Sequence, residues 1–171
     1  VSKWGGGALD PAHLFGNPQL DAQKKLQADT QTAEQQRQAG IQKSLDTVNG
    51  IFTSPDRQAS YDKYGTDTFN LLKNSLDQNQ GQASRQLNFG LMRTGNTGGS
   101  NDIDQHGLLA KDYYTGLLDA SNKSQGAKAQ LEGEDRSLQG SIDNLVLGGL
   151  SATNATQQAT EGAQANAQGA K

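Results

Sequence analysis

Between residues 18 and 150 the apolar side chains fall in series spaced three and four apart, the period that gathers them on one face of a helix. Ile41, Leu45, Val48 and Phe52 make the first seam. Tyr61, Tyr64, Phe69, Leu71, Leu72 and Leu76 make the second, which resumes after a polar gap at 77–82 with Leu87, Phe89, Leu91 and Met92. A third set opens with Ile103, Leu108, Leu109, Tyr113, Leu117 and Leu118. It continues through Ala127, Leu131, Leu138, Ile142 and Leu145, where Leu131, Leu138 and Leu145 recur every seven residues. Ahead of all three, Gln19, Gln23, Gln27, Gln31 and Gln35 recur every four residues, with only Leu20, Leu26, Ala28 and Ala33 as apolar company. A helix this polar is expected to bridge solvent or to line a wet lumen.

The breaks between the series have recognisable chemistry. Asn17-Pro18 and Ser54-Pro55-Asp56 each place a capping side chain before a proline suited to a first helical turn. Residues 94–100 hold Gly95, Gly98, Gly99 and Ser100; Gly95 suits a left-handed helix end and Ser100 suits the next cap. Helices over about 18–50, 55–93 and 100–150 follow, the last two joined as an αα-hairpin through Gly95, Gly98, Gly99 and Ser100. Through 77–82 the second helix either runs on with a wet middle or bends. Residues 1–17 read as an extended, glycine-rich arm. Residues 151–171 read as a low-complexity Ala/Gln/Gly tail, frayed or ordered only in an assembly. Gly126, Gly133 and Gly140 repeat every seven residues and suggest a face where neighbouring helices approach closely. With only seven Ile and Val in the chain, a sheet is disfavoured and the expected class is all-α.

Composition shifts the question from fold to assembly. Leu, Phe, Ile and Val supply 30 of 171 residues, about 18%, while Gly and Gln each supply 21. That is a poor stock for a self-sufficient core, yet a net charge of −3 is too small for a disordered chain. The expectation is a subunit that shares its core with copies of itself, a homo-oligomeric helical barrel or tube. Ile41, Leu45, Val48, Leu131, Leu138, Ile142 and Leu145 are its expected oligomer seam, and Gln19, Gln23, Gln27, Gln31 and Gln35 its candidate lumen-facing stripe. A nearly uncharged lining would let DNA pass without holding it, because tight binding needs many cationic side chains that release counterions.

Enzymatic chemistry finds little material. There are no cysteines and only two histidines, His13 and His106. Asp102, Asp104 and Gly107 open like a calcium loop, but His106 and Tyr113 stand where further oxygen ligands belong. Residues 94–100 lack the Lys of a phosphate loop, and Glu132, Glu134 and Asp135 read as a solvated helix face. No catalytic residue, cofactor or metal is expected. The sequence pI near 5.3 gives no basic footprint for nucleic acid. Neither an export signal nor a membrane span is written in the chain, the apolar stretch from Leu145 to Leu150 being far too short. A start at Val1 suggests processing, trimming or alternative initiation.

The stretch Gln86-Leu87-Asn88-Phe89-Gly90-Leu91-Met92-Arg93-Thr94-Gly95-Asn96-Thr97-Gly98-Gly99-Ser100-Asn101-Asp102-Ile103-Asp104 resembles a hairpin of small internal virion, or ejection, proteins of short-tailed bacteriophages. Its glycine-rich leader and cysteine-free Ala/Gln helices are similar to that group too. The resemblance implies a virion protein released at infection, whose copies build a channel carrying the genome across the host outer membrane and periplasm. Partners would be copies of itself, other virion or ejection proteins, DNA in transit and the host outer membrane. A membrane-crossing band would need outward apolar residues. Leu87, Phe89, Leu91 and Met92, opposite Ile103, Leu108, Leu109 and Tyr113, are the candidates, with Leu145 to Leu150 as the alternative; intersubunit core explains both sets equally well. Two readings compete with a channel: a static neck, tail or adaptor subunit of a virion, and a soluble coiled-coil scaffold.

Overall fold

The computed structural model describes residues 18–169. Among these all regular structure is α-helix, with no strand: α1 (Pro18–Phe52), α2 (Pro55–Thr94), α3 (Ser100–Leu147) and α4 (Ala152–Gly169). It divides into two compact units, Val1–Lys43 and Ser44–Lys171. The expected arm at 1–17 lies outside the described residues.

In the first unit, every α1 residue from 19 to 40 is exposed, the five glutamines of the stripe included. This segment holds itself by local bonds. Arg37 donates to both oxygens of Glu34, at 2.8 and 2.7 Å, and Gln38 adds a third bond. These contacts, the Arg37 bond foremost, bring the Glu34 carboxyl down to about 2.

The second unit is built on the α2–α3 hairpin. Ser54 caps α2, its Oγ accepting from the Arg57 amide at 3.2 Å, with Pro55 in the first turn. Gly95 ends it at φ 69°, where its own amide and that of Asn96 reach back to the carbonyls of Met92 and Leu91. Gly98 also has positive φ, 78°. Ser100 does not cap α3 as expected. Gly99 takes that place, and the orphan Gly98 amide donates to Asp102 Oδ2 at 2.7 Å, a carboxylate in the first turn doing the work of a cap. Each step forward along α2 is matched by a step back along α3. Arg57 meets Asp135, Asp62 meets Lys128, Gly65 meets Ser124, Leu76 packs over Gly116, and Asp77 meets Tyr113. The polar stretch at 77–82 continues as helix, anchored where the Tyr113 hydroxyl donates to Asp77 Oδ1 at 2.5 Å.

The C-terminal segment departs most from expectation. It folds as α4, capped by Ser151 and turned back against α3 by Gly148 and Gly149 (φ 106°). Ala155, Ala159 and Ala163, spaced four apart, are buried along one side of it. Small side chains make a close helix contact possible where bulky ones would not. Gly162 takes Leu138 so tightly that an added Cβ would lie 2.4 Å from the leucine Cδ2.

The core therefore sits at the open end of the hairpin: Val48 and Phe52 from the end of α1, Tyr61 from α2, Leu131, Ile142 and Val146 from α3, and the α4 alanines. Three members of the expected oligomer seam, Val48, Leu131 and Ile142, are buried inside one chain and so belong to its own core. Ile41, Leu45 and Leu138 are half-buried and Leu145 is half-exposed. The glycine heptad makes no close approach within the chain. Nothing lies within 4 Å of a Cβ built on Gly126, Gly133 or Gly140, whereas Gly65, Gly116 and Gly162 are the positions of close approach.

Candidate functional site

Two features stand out: an apolar surface on the hairpin and a buried polar cluster at its base. Toward the turn the hairpin is only two helices thick, and two cylinders cannot bury all the apolar positions written around them. Leu71, Phe89, Met92, Ile103, Leu108, Tyr114 and Leu118 keep 54 to 72% of their surface exposed. Singly such residues are ordinary; a series along one hairpin is the usual sign of a surface that associates.

The residues expected to face a membrane divide accordingly. Phe89, Met92 and Leu108 are exposed, Leu91 is buried at the hairpin interface, and Leu87, Leu109 and Tyr113 are half-buried. Leu91 and Tyr113 thus serve the hairpin itself, the latter through its bond to Asp77. No helix among the described residues is long and apolar enough to cross a membrane. Gly95, Gly98 and Gly99 form the turn, with Ser100 as the first residue of α3.

The polar cluster was not foreseen. Asp135, read as solvated, is 1% exposed and is the hub joining α2, α3 and α4. Arg57 donates to both its oxygens, to Oδ1 at 2.7 Å, and lies over the Tyr61 ring. The Tyr61 hydroxyl donates to Oδ2 at 2.6 Å and Asn166 of α4 to Oδ1 at 2.9 Å. Burial pushes the Asp135 carboxyl upward, but these donors together outweigh it and hold the group below its usual value. Burial and the adjacent carboxylate push the Tyr61 phenol up to about 12. The cluster is satisfied and inward-facing, so its work is to fix packing.

No group of three His, Asp or Glu among the described residues could hold a metal. Asp102 is committed to the turn, and its other oxygen lies 3.1 Å from His106 Nε2. Glu132 and Glu134 make bonds within their own helix, to Arg136 and Gln130. An open groove of about 750 Å³ runs between α2 and α4, lined by Lys63, Tyr64, Asp67 and Leu71 on one side and Gln164 and Ala167 on the other. Comparison with protein-family models, curated proteins and solved structures returned no match.

Proposed function

We propose that this chain is a self-assembling structural subunit, not an enzyme, and that it serves as an internal virion protein of a short-tailed phage. Released at infection, its copies would form a tube through which DNA passes across the host outer membrane and periplasm. The observation that carries the self-assembly is the number of large apolar residues the hairpin leaves exposed, Phe89, Met92, Ile103, Leu108, Tyr114 and Leu118 among them. A second copy is the cheapest cover for such a surface, since one sequence supplies both halves of the contact. The phage setting rests on the resemblance of residues 86–104. The uncharged, exposed glutamine row of α1 supports a lining that does not retain DNA. In this reading Phe89, Met92 and Leu108 meet a neighbouring copy or lipid.

Mass spectrometry of particles before and after genome release tests the assignment. An ejected protein is present in full particles and depleted from emptied ones. Retention in emptied particles would overturn ejection and leave a static neck, tail or adaptor subunit. A purified chain that stays monomeric at high concentration would overturn self-assembly altogether.

A further inference from the structure

The contacts of α4 differ in kind from those inside the hairpin. α2 and α3 are tied by the Arg57–Asp135 and Asp62–Lys128 ion pairs and by hydrogen bonds from Tyr61, Tyr113 and Ser124. α4 is attached by three alanine methyls, the Leu138–Gly162 contact and one hydrogen bond, from Asn166 to Asp135. Its one charged residue, Glu161, bonds only to Gln157 of the same helix. On the α2 side its packing is incomplete, leaving the 750 Å³ groove. Its connection to α3 holds Gly148 and Gly149, the latter at φ 106°.

From these contacts we infer that α4 is an exchange arm: in the assembled protein it leaves its own α3 and docks on the α3 of a neighbouring copy. The inference rests on the self-assembly reading and names the segment that links one subunit to the next. The docking site does not depend on α4, because Arg57 and Tyr61 hold Asp135 in place without it. What α4 leaves behind is a groove over Leu131 and Leu138, whose apolar surface favours recapture of a helix. The α4 of a second copy fits that groove with the same residues that fill it within one chain, so exchange changes only the hinge. Opening that hinge to an extended conformation carries α4 away from its own α3, and Gly149 can adopt either conformation at little cost. A ring forms when each copy passes its arm to the next.

The absence of cysteine from the chain makes the test direct. Leu138→Cys is placed on one tagged chain and Gly162→Cys together with Leu138→Ala, which spares the new Cβ a clash with the chain's own leucine, on a second; the two are unfolded, mixed, refolded to assembly and oxidised. Exchange predicts a disulfide between the two tags, and covalent multimers from the doubly substituted chain. An assembly by sedimentation with no bond between tags, while the doubly substituted chain closes only on itself, overturns exchange and leaves self-assembly standing; a chain that never assembles overturns both. Deleting Gly148 and Gly149 needs no disulfide and gives an independent reading. Too short a connector prevents return to the same α3, so exchange predicts a stable oligomer with full helicity, and a monomer with reduced helicity overturns it.

Discussion

Asp135 offers the sharpest test of how the base of the hairpin is held. Replacing it by Ala leaves the Arg57 guanidinium, whose side chain is 9% exposed, without a counter-charge. It also strips the Tyr61 hydroxyl and the Asn166 amide of their acceptor. Breaking one side of a buried pair costs about 3–5 kcal/mol, a large part of the roughly 5–15 kcal/mol that holds a domain folded. At about 2–4 °C per kcal/mol for a chain of this size, the Tm falls by about 6–20 °C. Circular dichroism melts and urea titrations of the purified chain measure this. The matching control removes both charges: Arg57→Met with Asp135→Leu leaves no buried ion and should recover about 2 kcal/mol of the loss. It retains about 1–3 kcal/mol for the unpaired Tyr61 donor. If Asp135→Ala costs less than about 1 kcal/mol, or the double variant is no better than the single, the cluster does not hold the base and the argument fails.

Further expectations follow from other contacts. Because the fold lowers the Asp135 carboxyl below 3.8, its contribution is complete above that value and is lost as pH falls toward the folded value; Asp135→Asn should remove this acid-side loss from a pH series of melts. Tyr61 has the opposite sign. Its phenol is raised from 10.0 to about 12, so stability is present below 10 and lost as pH rises through 12, and Tyr61→Phe should flatten that limb. Gly126, Gly133 and Gly140 face open space, so each change to Ala should stabilise by about 0.5–1 kcal/mol in thermal unfolding. A triple variant that gains stability but no longer assembles would place this face between subunits. Replacing Phe89, Met92, Ile103 and Leu108 together by Gln should abolish association in sedimentation while leaving monomer melting nearly unchanged, since all four are exposed.

Where local chemistry decides the structure, the chain could be read residue by residue. Ser54-Pro55 and Gly95 set the ends of α2 because a cap, a fixed φ and a left-handed φ are properties of single residues. The Ser100 cap failed because Asp102 offered a charged acceptor two residues on. α4 was missed because alanine counts for little in an apolar tally, although Ala155, Ala159 and Ala163 have helical spacing and fit against a neighbour that larger residues would hold off. Asp135 lies four residues after Leu131 and seven before Ile142, in line with the seam, and that placement was the available signal. Its partner is 78 residues away, and only the hairpin register brings Arg57 to it. Spacing does not tell burial within a chain from burial between chains: of the seam residues, Val48, Leu131 and Ile142 are buried within the chain, while Leu145 is half-exposed.

The polar ties along α2 and α3 have one more consequence. Leucines repeating every seven residues would accept a partner helix shifted by two turns nearly as well as the native one. The Arg57–Asp135, Asp62–Lys128 and Asp77–Tyr113 pairs would not, because any slip unmakes all three at once and strands a buried ion. They act as the graduations of a ruler. The distance from the core end to the turn is thereby the same in every copy, and any structure built from many such hairpins inherits a wall of uniform height without a separate measuring device.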